Sequence, residues 1–121
     1  MAGELSVTVR RERGAVIAEV TGDIDISTVG GLRERLLGLA DSGQPLILDL
    51  NGVSFIDSTG LGVLVAAARR ADTHGGSLHA VCSRKPTRKL LWLTGVDRRI
   101  PLTDTVDETL KHLTASRDAP G

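Results

Sequence analysis

The residues Leu46-Ile47-Leu48-Asp49-Leu50, preceded by Gly43 and Pro45, form a short and almost continuous apolar run. It reads as a central strand covered on both faces, as in sheets where helices pack on either side.

The rest of the chain supplies neighbours for that strand. Leu5 to Val9 alternates as a half-buried strand, Arg10 to Arg13 with Gly14 makes a turn, and Ala15 to Val20 returns antiparallel. Gly22-Asp23-Ile24-Asp25 reads as a turn. After it, Ser27 or Thr28 caps a helix with the apolar face Val29, Leu32, Leu36, Leu39 and Ala40. A helix from Asp57 to about Asp72 gathers Leu61, Leu64, Val65 and Ala68 on one side. Ser77 to Cys82 is a further strand, and Pro86 suits the first turn of a third helix that Gly95 stops. Ile100-Pro101-Leu102 is at best a short edge strand, because proline cannot donate to a ladder. Thr103 or Asp104 caps a last helix through Leu113, and residues 115–121 are expected to form a disordered tail. The fold class is therefore α/β: one domain over residues 1–114, a mixed β-sheet with about four packed α-helices.

With 121 residues the chain can close one core but not two. Fifteen basic and fifteen acidic residues cancel, so no global field favours nucleic acid or an anionic membrane. The lone Cys82 cannot form an internal disulfide and reads as a buried thiol of a reducing compartment. Met1-Ala2-Gly3-Glu4 lacks the features of a signal peptide, and the longest apolar stretch, Val63 to Ala68, is far shorter than the ~20 residues of a membrane span. A cytoplasmic protein without membrane or direct nucleic-acid contacts is expected.

Functional information concentrates in Asp57-Ser58-Thr59-Gly60-Leu61-Gly62, where a strand hands over to a helix. Backbone N–H groups at a helix start lack intrahelical partners and the macrodipole there is positive, so a phosphate on Ser58 would be tolerated. Local chemistry alone favours the simpler use of Asp57 or Ser58 as an N-cap. Other chemistries find less support. Asp49 imitates the aspartate of a phosphoryl-accepting receiver domain, but Arg10, Arg11 and Arg13 follow the first strand where a Mg²⁺-binding acidic pair is needed. Asp23-Ile24-Asp25 imitates a phosphatase Asp-x-Asp pair, yet a turn that caps the next helix explains it more simply. No Gly-x-Ser-x-Gly elbow or nucleotide-binding Gly-rich loop occurs, and one cysteine with His74, His79 and His112 gives no metal-ligand spacing. Arg69-Arg70 and Arg84 to Lys89 lack interleaved aromatics and read as solvated faces.

The string Asp57 to Gly62 resembles the signature of the STAS domain as found in bacterial anti-sigma factor antagonists. Gly22-Asp23-Ile24-Asp25 is similar to that family's Gly-acidic-x-Asp turn. Ser77 to Cys82 and Pro86 to Gly95 resemble its late strand and its Pro…Leu-Thr-Gly-Leu helix, with Val96 in the final position. The similarity runs from about Leu5 to Leu113. It implies a binding module, not an enzyme, with no catalytic residues, metal or cofactor. In this family the unphosphorylated form binds an anti-sigma factor that is also a serine kinase, and so frees a sigma factor. Phosphorylation at Ser58 would end that association and a phosphoserine phosphatase would restore it. The resemblance assigns partner binding to Asp23, Asp57, Thr59, Gly60 and Gly62, the glycines admitting a partner backbone unless helix packing requires them. The compatibility of a helix start with phosphate predicts a monomer whose fold barely changes on phosphorylation. The alternative is a STAS subunit of another complex, a lipid-transport ATPase or a stressosome, although the intact Asp-Ser-Thr-Gly string favours the phosphorylatable class. One residue stands apart: Trp92 falls opposite the mean direction of Leu90, Leu91 and Leu93 and is expected to lie off the core beside Arg88 and Lys89.

Overall fold

The computed structural model describes residues 4–118, which form one five-stranded sheet in the order β1-β2-β3-β4-β5 with helices on both faces. Strand β1 (Leu5–Glu12) pairs antiparallel with β2 (Ala15–Ile24). Their loop is only Arg13-Gly14, both at positive φ (52° and 79°), which matches the right-handed twist of a tight hairpin. β1 therefore runs past Val9: its last residues alternate charged side chains on a solvated edge, where Arg10 lies 3.6 Å from both Glu12 and Glu19.

β2 also outlasts its expected end at Val20. Gly22 and Asp23 belong to the strand, with irregularities in the ladder between Glu19 and Thr21 and between Gly22 and Asp23. At φ +107°, Gly22 brings the backbone so close to Glu4 that a β-carbon would overlap its carbonyl oxygen. The turn lies later, at Asp25 to Thr28, where Asp25 Oδ1 accepts from Ser27 N (2.9 Å) and Ser27 Oγ (2.6 Å). Helix α1 (Val29–Ala40) follows with Thr28 at its N-cap position. The Thr28 hydroxyl does not cap; it donates to the Asp23 carbonyl at 2.8 Å.

β3 (Pro45–Ile56) is the central strand, parallel to β2 on one side and to β4 (Ser77–Val81) on the other. Leu46, Leu48 and Leu50 face the main core with Leu32 and Leu36 of α1 and Leu61 and Leu64 of α2 (Ser58–Thr73). Ile47 faces the opposite layer with Ala15, Ile17, Val81 and Leu110 of α5 (Val106–Asp118). Double coverage of the Leu46–Leu50 run is thus observed. The strand order also excludes receiver topology, whose first strand lies inside the sheet.

Between β4 and the short edge strand β5 (Leu102–Thr103) lie α3 (Lys85–Leu93) and the single turn α4 (Val96–Arg99). Four helices were expected and a fifth is present, because Gly95 (φ +78°) redirects the chain without ending helical structure. Val96 and Ile100 then enter the core. Leu93, expected on the apolar side of α3, is 63% exposed. Thr87 and Leu91, one turn apart, are the buried contacts of that helix, and Leu93 points away from both. The start of α5 also differs from expectation: Thr105 Oγ1 accepts from Glu108 N at 3.1 Å, whereas the Thr103 hydroxyl is buried against Thr109 at 2.6 Å. Residues 114–118 contain no proline or glycine, and α5 continues to Asp118; of the expected disordered tail, residues 119–121 lie outside the described residues. No helix among the described residues is long and apolar enough to cross a membrane.

Gly22→Ala would force a side chain into left-handed backbone and against Glu4. It is expected to destabilise the fold by about 3 kcal/mol, measured by urea unfolding at constant m-value.

Candidate functional site

Strands β2 to β5 are mutually parallel, so the loops that follow them share one rim of the sheet. α/β folds present ligand and partner sites there, outside the carboxyl ends of the strands. Two of these loops touch: Asp57 N donates to the Ile24 carbonyl at 3.2 Å, tying the start of α2 to the end of β2.

Asp57 is the N-cap of α2. Its Oδ1 accepts from Thr59 N (3.0 Å), Gly60 N (3.2 Å) and the Thr59 hydroxyl (2.5 Å). The Thr59 hydroxyl bond, joined by the two backbone bonds, holds the carboxyl below the usual carboxylate range, while partial desolvation and, to a smaller extent, the negative charge of Asp25 oppose the shift. Asp25 titrates low too, chiefly through its bond from the Ser27 hydroxyl.

Ser58 follows the cap and is exposed, and its hydroxyl makes no hydrogen bond within the described residues. The neighbouring Thr59 hydroxyl is held by Asp57. Of two adjacent hydroxyls, only that of Ser58 is unengaged. The cap also changes what a phosphate would meet. Two N–H groups of the helix start are already taken by a carboxylate, and Asp25 adds a second negative charge. A phosphate on Ser58, which the sequence reading expected the helix start to tolerate, would therefore be turned outward.

The glycines of the motif separate. Gly60 is buried: an added β-carbon would lie 2.5 Å from Ile24 Cγ2 and 2.8 Å from Ile56 Cγ1, so helix–sheet packing requires its absence. Gly62 is exposed with open space where a side chain would stand. Asp23, named from the sequence, lies in β2 opposite Phe55, and its carbonyl holds Thr28. The carboxylate whose charge reaches Asp57 is that of Asp25, which the sequence placed in a turn but not among the partner-binding residues; its Asp-x-Ser pattern forms an Asx turn. Also unforeseen were two apolar side chains, one in the turn after β2 and one near the end of β3: Ile26 is 79% exposed and Phe55 is 53% exposed.

The family model described as the STAS domain matches residues 6–109. The chain is 33% identical to the anti-sigma-B factor antagonist of Bacillus subtilis over 107 residues, covering 88% of this chain and 93% of that protein. The crystal structure of an anti-sigma factor antagonist from Mycobacterium paratuberculosis superposes with a TM-score of 0.83 at 29% identity, covering 98% of this chain and all of the other (100%). The phosphorylated form of SpoIIAA, a Bacillus cell fate determinant, shares the fold with a TM-score of 0.67 at 19% identity, over 89% of this chain and 99% of that one.

Two substitutions test the separation of the glycines. Gly60→Ala should cost about 1–3 kcal/mol through overpacking. Gly62→Ala should gain up to about 1 kcal/mol from helix propensity, so that the two variants move the urea midpoint in opposite directions.

Asp57→Ala should lower the Tm at neutral pH. Because the folded pKa of Asp57 is depressed, its contribution is present above the ordinary value of 3.8 and is lost as pH falls through the folded value, so the difference from wild type should shrink in acid.

Proposed function

The chain belongs to the STAS domain family, and we propose that it works there as an anti-sigma factor antagonist switched by phosphorylation of Ser58. In its unphosphorylated form it binds an anti-sigma factor that is also a serine kinase, and thereby frees a sigma factor. Transfer of a phosphoryl group from ATP to Ser58 ends the association, and a phosphoserine phosphatase restores it. The protein is a substrate in this cycle and not a catalyst. It acts as a cytoplasmic monomer.

The observation that carries this reading is the exposed, unbonded Ser58 hydroxyl on a helix start that Asp57 already caps. Ile26, exposed in the turn after β2, and Phe55, exposed near the end of β3, supply apolar area of the kind that protein interfaces cover. The identity to the Bacillus subtilis antagonist over nearly the whole of both chains supports the same role. Phosphorylation adds about −1.5 to −2 charges at neutral pH. Turned outward by Asp57 and Asp25, that dianion would have to be desolvated in any interface centred on Ser58. A loss of ~3 kcal/mol weakens binding about a hundredfold.

The test is incubation with ATP and each purified kinase-type anti-sigma factor of the source organism, read by intact mass. One phosphoryl group is expected on the wild type and none on Ser58→Ala, which should keep its affinity for the same partner. Equal labelling of Ser58→Ala would move the acceptor elsewhere. Thermal melts of the two forms should differ by only a few degrees, since ~1 kcal/mol corresponds to about 4 °C in a domain of this size.

A further inference from the structure

β4 ends at Val81, paired with Asp49, while β3 continues to Ile56. Past that point α3 stands where a strand would otherwise continue the sheet. Ser83 N and Oγ donate to Asn51 Oδ1 (2.8 and 3.0 Å), Arg84 Nη1 donates to the Val53 carbonyl, and Arg88 Nη1 donates to the Cys82 carbonyl (2.8 Å) and Asp104 (2.6 Å). These bonds fix α3 but leave a groove of about 250 Å³ between it and the end of β3, lined by Phe55, Ile56, Pro86, Thr87 and Leu90. Ile56 forms the boundary with the phosphoacceptor turn, since it also underlies Gly60 in the first turn of α2.

The outer surface of α3 continues the groove. At about 100° per residue, the order around the helix is Trp92, Lys85, Lys89, Leu93, Pro86, Leu90. Trp92 is 66% exposed, as its position in the sequence led us to expect, and Leu93, across Lys85 and Lys89 from it, is exposed too. All four large hydrophobic side chains exposed among the described residues therefore belong either to the turn after β2 (Ile26), to the end of β3 (Phe55) or to this helix. Lys85 and Lys89 make no ion pair among the described residues, in contrast to Arg88, which is tied to Asp104.

We propose that the outer face of α3 with the Phe55–Leu90 groove is a second docking surface for the anti-sigma factor that acts on Ser58, and that Trp92 and Leu93 make it selective for the cognate partner. The inference rests on the function proposed above. The groove receives one apolar side chain of the partner, and carboxylates beside that side chain face Lys85 and Lys89. Carboxylates suit α3 and are disfavoured at the Asp25–Asp57 end of the surface, so the charge difference along it fixes the direction in which the partner lies. Tryptophan contributes large contact area with few rotatable bonds, which is why such residues anchor interfaces.

The test uses the anti-sigma factor that phosphorylates the wild type, with calorimetric Kd and steady-state phosphorylation as readouts. Trp92→Ala and Leu93→Glu should each weaken binding at least about tenfold with the Tm unchanged, and should raise KM for Ser58 phosphorylation while leaving kcat in place. Lys85→Glu with Lys89→Glu should weaken binding in low salt, and the loss should shrink as salt is added. If these variants bind as the wild type does while Ser58→Asp does not, the docking surface is overturned and the Ser58 function stands. If they change the self-association of the protein instead of partner affinity, the surface is an interface between copies and the proposal is equally overturned. If no anti-sigma factor binds the wild type, the function itself fails and the docking surface with it.

Discussion

The placement of β3 between β2 and β4, with its side chains buried alternately in two different layers, is the constraint on which the other features depend. Leu46, Leu48 and Leu50 enter the core beneath α1 and α2, and Ile47 enters the layer beneath α5. A slip of one residue would exchange the two sets and leave neither layer matched, so the register is strongly specified. That register brings Ile24 level with Ile56, which lets the Asp57 amide reach the Ile24 carbonyl. The same strand outruns β4, and the overhang is what opens the groove against α3.

Features written in local chemistry were legible in the sequence. The Leu46–Leu50 run announced a doubly covered strand, and Asp57 before a helical pattern announced an N-cap. What was not legible depends on through-space geometry. Gly22-Asp23-Ile24-Asp25 has the composition of a turn, but a parallel neighbour with a ladder irregularity keeps the first three residues in the strand. Gly95 has the composition of a helix stop, yet Val96 and Ile100 gain enough burial to draw one more turn after it. Leu93 was misplaced because the periodicity of three leucines gave α3 a face, while the core admits only Leu91 and half of Leu90. Thr105 was missed as a cap because Thr103 and Asp104 precede it, and only the structure shows the Thr103 hydroxyl spent on Thr109.

The motif at the rim combines two demands that a sequence cannot separate. Gly60 is small because Ile24 and Ile56 occupy the space of its side chain, a packing requirement. Gly62 meets nothing in the fold, so the chain forgoes helix propensity there without a return in stability. A glycine that folding does not explain, four residues beyond Ser58 and on the exposed side of the same helix, is consistent with close approach by another backbone.

The electrostatics of the cap would let a phosphate on Ser58 act on an interface without disturbing the fold. In an uncapped helix, a phosphate would bond the first N–H groups and reorganise the turn. Here Asp57 already holds Thr59 and Gly60, and the Thr59 hydroxyl fixes the carboxylate in place. The strongest local attraction for a phosphate is thus spent before it arrives, and Asp57 with Asp25 supplies repulsion instead. A phosphate on Ser58 would then extend into solvent, where the helix start would present it to a partner at a fixed position. The apolar groove bounded by Ile56 would still offer contact area to that partner, so phosphorylation would act on part of a larger surface. Affinity contributed along α3 would keep the partner's preference for this chain independent of the charge at Ser58, and the charge would decide only whether the complex persists.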